Sequence, residues 1–132
     1  LAGCATPGTA SAPASATTAV TAPAKAEDAV RARAQQRWDW LVAGKFDDAY
    51  IYTTPSYRLV KSAESYRNRF GSGAAWLNPA VKSVECLTVE RCTVTVSLDV
   101  LVVARGFNKP TQSTLTETWL KEDGQWWFYQ AP

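Results

Sequence analysis

From Lys25 to Tyr50 the chain reads "KAEDAVRARAQQRWDWLVAGKFDDAY", and its apolar positions recur with the period of a helix. Val30, Ala34, Arg37 or Trp38, Leu41 and Val42 fall near one face, Glu27 and Asp28 occupy the first turn, and Gly44 supplies a stop. A short second helix is predicted from Asp47 to about Tyr52, ending before Pro55. A third is predicted in "SAESYRNRFGSG", with Ser62 as N-cap and Gly71 as terminator.

Beyond Trp76 the period becomes two. "VKSVECLTV", "CTVTVSLDVLVVARG", "TQSTLTETWLKEDG" and "QWWFYQ" are four strand candidates, joined by turns at Val89 to Arg91, Gly106 to Pro110 and Asp123-Gly124. The Asp-Gly pair is the strongest hairpin signal. Helices first and an antiparallel meander afterwards predict an α+β fold with the helices on one sheet face.

Register follows from assuming symmetric turns. A turn centred on Asn108 sets Asp99 opposite Glu117, and one centred on Asp123-Gly124 sets Glu117 opposite Gln130, in a row among Leu115, Trp119 and Phe128. Val94, Val96, Leu98, Val100 and Val102 then share a face with Leu120, Trp127 and Tyr129, while Trp119, Trp126 and Phe128 take the other. Both faces are thus apolar. One covers the helix and a cavity; the second calls for a homodimer mate, a foreign surface, or a β-bulge that resolves the conflict. A slip of one residue would exchange the faces.

The chain has 132 residues, 46% apolar and 20% charged, and every charge lies from Lys25 onward. Residues 25–132 suit one globular domain, and residues 1–24 an appendage. A formal net charge of +2 with both signs interspersed provides no basic stripe, which argues against a nucleic-acid partner. No run approaches the roughly twenty apolar residues that span a bilayer. Histidine is absent, so Ser-His-Asp and Cys-His catalysis are excluded, and a zinc site would have to be cysteine and carboxylate. Carboxylate or tyrosine chemistry is what remains.

The opening "LAGC" resembles a bacterial lipobox, in which cleavage before the cysteine leaves a thiol that carries diacylglycerol. The resemblance implies lipid attachment at Cys4 and membrane contact through its acyl chains, and Ala5 after the cysteine implies the periplasmic face of the outer membrane. Ala5 to Ala24 is Ala, Thr, Ser and Pro with some Val and Gly, which reads as a disordered tether of roughly 25 Å mean reach. Export also bears on the other two cysteines. With the first hairpin symmetric about Val89, Cys86 and Cys92 face each other across the ladder, and an oxidising compartment favours a structural disulfide over a free thiol, a redox role or a metal role.

"LVAGKFDDAYIYTTPSYR", "SAESYRNRFG", "VECLTVERCTVTV" and "TETWLKEDGQWWFY" together resemble small bacterial lipoproteins of the nuclear transport factor 2-like superfamily. That resemblance implies a cone-shaped roll, a curved antiparallel sheet wrapped around a long N-terminal helix with a cavity between them. Members include isomerases, dehydratases, small-molecule binders and structural modules, so the fold leaves the activity open. In the steroid isomerases of the superfamily a pocket Asp moves the proton while a Tyr and a protonated Asp stabilise the enolate, which directs attention to Asp99 and Glu117. The alternative is a solvent-facing patch, or a buried knot neutralised by Arg58, Arg67 or Arg69. Tyr50, Tyr52, Tyr57, Tyr66 and Trp76 either line the cavity mouth or fill the core. Trp38 and Trp40 cannot share one helix face, which leaves one exposed or at a contact. Two functions follow as expectations: a non-enzymatic, lipid-anchored accessory subunit of an envelope complex, or a small-molecule-binding or isomerase-like pocket protein using Glu117 and Asp99. Neither implies a cofactor.

Overall fold

The computed structural model describes residues 11–70, 74–102 and 109–132, with side chains described for 25–70, 75–101 and 109–132. Four helices precede four strands: α1 Ser11–Val42, α2 Phe46–Ile51, α3 Pro55–Val60, α4 Ala63–Arg67, β1 Ala74–Thr88, β2 Arg91–Val102, β3 Thr111–Glu122 and β4 Gln125–Phe128. The strands form one antiparallel sheet in the order β1-β2-β3-β4, with α1 packed mainly against β1. The fold is α+β, an N-terminal helix on an open meander.

The sheet-facing stripe of α1 is Val30, Ala34, Trp38 and Leu41, all buried, as the helical period predicts. Arg37 is buried beside Trp38, so both of the alternatives left by the spacing lie inside; Val42 is exposed, contrary to expectation, because it follows Leu41 by about 100° around the helix. Gly44, with φ +78°, ends the helix in a Schellman motif: its N–H donates to the Leu41 carbonyl at 3.1 Å, and that of Lys45 donates to the Trp40 carbonyl at 2.8 Å. At the other end α1 starts at Ser11, well inside the stretch read as a disordered tether. Alanine is the strongest helix former and extension of an existing helix needs no new nucleus, so the Ala-rich sequence continues the helix despite Pro23. Residues 5–10 of that stretch, Cys4 and Gly71 lie outside the described residues.

Two short helices are capped from their own sequence. Thr54 Oγ1 accepts from the Tyr57 N–H at 3.3 Å with Pro55 at the first helical position, which builds α3 where the sequence pattern offers only a breaker. Ser62 Oγ accepts from the Ser65 N–H at 3.1 Å and starts α4 as expected.

β1 begins at Ala74, seven residues before the predicted Val81, and its pairing with β2 is interrupted by register shifts at Leu77/Ala80, Val81/Ser83 and Cys86/Thr88. Asn78, with φ +52°, and Pro79 form the first interruption, which hides the strand from a period-two reading. The Gln35 side chain fills it. Its amide donates to the Pro79 carbonyl at 2.9 Å and accepts from the Val81 N–H at 3.0 Å.

Cys86 and Cys92 pair across the β1–β2 hairpin as predicted and are placed as a disulfide, with Cα atoms 3.8 Å apart. The β3–β4 hairpin also has its predicted register: Trp119 pairs Phe128 and Glu122 pairs Gln125 around Asp123-Gly124, both with positive φ.

The β2–β3 register differs. Asp99 pairs Gln112 and Glu117 pairs Val94, a displacement of five residues from the predicted Asp99–Glu117 pair (117 − 112 = 5). An odd displacement exchanges faces. Cys92, Val94, Val96 and Trp119 therefore share the buried inner face, and the outer face carries the pairs Thr93–Thr118, Thr95–Thr116 and Ser97–Thr114. The expected second apolar face is corrected over this part of the sheet: it is hydroxyl-bearing and needs no cover. Leu120 and Trp127 pair on that outer side, half-buried, rather than joining Val94 and Val96. Beyond them the outward edge of β4 is closed, since the Phe128 N–H donates to the Tyr52 carbonyl at 2.7 Å and the Thr54 N–H to the Phe128 carbonyl at 3.1 Å.

Candidate functional site

Glu117 lies on the inner face of β3, and it is the residue around which the buried polar groups gather. Helical spacing on α1 aims both Arg37 and Trp38 at it. Arg37 Nη1 donates to Glu117 Oε2 at 2.8 Å and Trp38 Nε1 donates to the same oxygen at 2.7 Å. Trp119 Nε1, two residues along β3, donates to Oε1 at 3.3 Å. All three partners are obligate donors, and together they draw on both carboxylate oxygens.

The arginine is itself held from several sides. Its Nη2 donates to the Tyr66 hydroxyl at 3.3 Å, its Cζ sits 3.5 Å from the centroid of the Phe128 ring, and its buried Nε has no hydrogen-bond partner among the described residues. Arg37 and Glu117 are each nine-tenths or more buried. Two charges removed from water together gain little over an apolar pair, but removing one strands the other, at a cost of about 3–5 kcal/mol.

A cleft of about 390 Å³ opens beside this pair, lined by Arg37, Trp38, Leu115, Glu117, Phe128 and Tyr129 among others. A second, apolar cleft of about 320 Å³ is lined by Leu41, Phe46, Phe70, Trp76 and Leu77 among others.

The sequence-predicted residues separate accordingly. Glu117 borders the first cleft and Trp76 the second. Asp99 joins neither, since it lies on the opposite sheet face from Glu117 and accepts from Asn78 Nδ2 at 3.1 Å. The predicted carboxylate pair is therefore corrected: the five-residue displacement separates its members by register and by face. None of Tyr50, Tyr52, Tyr57 or Tyr66 lines these two clefts. Tyr66 and Tyr57 are core, and Tyr50 packs edge-on or tilted against both, donating its hydroxyl to the Lys61 carbonyl at 2.6 Å. Tyr52 packs against Trp40 at 4.8 Å, with the Arg33 guanidinium 3.9 Å from its centroid. Trp40 is thus the indole at a side contact, and Trp38 is the one in the core.

The buried-knot alternative foresaw the wrong arginines. Arg67 pairs with exposed Asp47, and Arg58 donates to the Thr53 carbonyl at 3.1 Å and packs over Trp127. The neutralising residue is Arg37, whose signal was its place in the apolar stripe of α1. Burial raises the pKa of Tyr57, whose hydroxyl lies in the core; the positive charge of nearby Arg69 opposes the rise. Burial lowers the pKa of Arg33, with Tyr52 opposing. Among the described residues no three Cys, Asp or Glu side chains converge as a metal site, and no helix is long and apolar enough to cross a membrane. No protein-family model and no curated protein matches this chain.

Proposed function

We propose that this chain is a lipid-anchored accessory subunit of a bacterial cell-envelope complex, held at the periplasmic face of the outer membrane through Cys4 and acting by binding rather than catalysis. Its domain would be a nuclear transport factor 2-like roll with the superfamily's helix-on-sheet order. One observation carries the preference for binding over carboxylate chemistry. Glu117 is engaged by Arg37, Trp38 and Trp119, and Asp99 is on the other side of the sheet, so the expected Glu117–Asp99 acid/base pair does not share a cleft. An envelope location also suits the Cys86–Cys92 disulfide.

The test is fractionation and intact mass of the native protein. A diacylglycerol increment on Cys4, release from membranes on Cys4→Ala, and a stoichiometric partner co-purifying from detergent would support the reading. Native protein without the acyl increment, or recovered from the reducing cytoplasm, would overturn it. A second reading, a carrier of small amphipathic molecules, is favoured by the cleft beside Arg37, whose volume is in the range of ligand sites. A small molecule retained through purification by a protein with no partner would select it.

A further inference from the structure

We infer that the free edge of β3 is a docking site for an extended segment of a partner protein, which adds a strand there and places an apolar side chain in the cleft beside Leu115 and Phe128. This rests on the binding role proposed above and specifies its surface.

The edge arises from unequal strand lengths. β3 has twelve residues and β4 only four, so β4 pairs with Trp119–Glu122 and leaves Thr111–Glu117 without a ladder partner on that side among the described residues. Parity identifies the exposed groups. The Thr118 carbonyl accepts from the Tyr129 N–H at 2.9 Å, so the even-numbered residues of β3 point their backbone groups away from β2. The N–H and C=O groups of Gln112, Thr114 and Thr116 therefore lie along the open edge. No backbone hydrogen bond reaches them from that side among the described residues.

The sheet's other edges are guarded. β1 is broken by register shifts and occupied by Gln35, and β4 is closed by Tyr52 and Thr54. Thr111–Thr116 carries neither charge nor proline, the devices that ordinarily discourage strand addition. After Tyr129 the chain no longer pairs with β3, and the cleft of about 390 Å³ opens between Leu115–Thr118 and Tyr129–Ala131. An added strand would gain backbone hydrogen bonds from the edge and side-chain selectivity from the cleft, with alternate residues on the inner face.

An uncharged segment with apolar residues at alternate positions fits this chemistry, because the edge offers no counter-charge and the Glu117 charge is already paired. A second copy of this chain is the weaker fit. Edge-to-edge pairing over so few residues falls short of the roughly 800 Å² per partner of a stable interface.

The experiment uses a short synthetic peptide that alternates threonine with phenylalanine or valine, with lysine at each end, titrated into the full chain and followed by amide hydrogen exchange. Expected are saturable binding and exchange slowed about tenfold or more at Gln112, Thr114 and Thr116. The same peptide N-methylated throughout should not bind. Thr114→Pro, which removes an outward N–H and leaves the β2 ladder intact, should weaken binding by about tenfold or more. Equal binding of the methylated peptide, or binding that leaves these three amides unprotected, would overturn the inference, as would absence of binding at millimolar peptide. A wild-type dimer that Thr114→Pro dissociates would assign the edge to a second copy and overturn it equally. Peptide binding with no envelope partner would fail the proposed function alone; a partner retained by Thr114→Pro would fail the docking edge alone.

Discussion

Arg37 and Glu117 stand 80 positions apart in the chain and meet at 2.8 Å inside it, one from the first helix and one from the third strand. Their contact joins the helix to the sheet through charge rather than through apolar area alone. It also accounts for why two indoles turn their N–H groups inward, since Trp38 and Trp119 share the same carboxylate.

The pair should behave as a unit. Arg37→Met is expected to destabilise the fold by about 3–5 kcal/mol, because it leaves the Glu117 charge buried with only indole donors. Arg37→Met combined with Glu117→Gln should recover about 1–3 kcal/mol of that loss, since the amide keeps an acceptor for Trp38 without a charge. Urea unfolding of the two single variants and the double variant measures the coupling, and additive losses would contradict it.

Tyr57 should limit stability at high pH. Its folded pKa is raised by burial above the usual value of about 10. The folded state therefore holds the phenolic proton longer than the unfolded state, and stability present below pH 10 is lost as pH rises through the folded pKa. Tyr57→Phe should flatten this alkaline decline, with stability at pH 7 changed by no more than about 1 kcal/mol, because the ring stays in the core and only the hydroxyl is lost. Thermal melts between neutral and strongly alkaline pH provide the comparison.

Reduction of Cys86–Cys92 should cost about 2 kcal/mol, the expectation for so short a closed loop. The hairpin would keep its place through Val84–Val94 and its neighbours. Unfolding with and without a thiol reductant reports the loss, and Cys86→Ser with Cys92→Ser should match the reduced protein.

Gly44→Ala should destabilise α1's C-terminus by about 1 kcal/mol, through the left-handed φ of +78° and not through a clash, because the space around a Cβ there is open. Gly44→Asn should cost less, as asparagine tolerates this region better. A thermal shift series distinguishes the backbone effect from a packing effect.

The features legible in the sequence are those fixed by neighbours along the chain. The helical stripe from Val30 to Leu41, its stop at Gly44, the Ser62 cap and the Asp123-Gly124 turn each depend on a few adjacent residues. So does the Cys86–Cys92 pairing, because a short symmetric hairpin leaves little choice of register. Gln35 in the β1 interruption and the start of β1 at Ala74 were hidden, because a bulge containing Pro79 breaks the period that marks a strand.

Tertiary structure decided the remainder. The β2–β3 register spans a long connection whose ends do not fix it locally, and it settles where Cys92, Val94, Val96, Glu117 and Trp119 are buried together against α1. That choice separated Asp99 from Glu117 and made Arg37 the partner. The sequence by itself determined the sheet-facing stripe of α1, the approximate places of the four strands and the tight turns at Gly44 and Asp123-Gly124, because those follow from local pattern and backbone preference. Which faces are buried, and which charges meet, required the packed molecule, because burial sums over residues far apart in the chain.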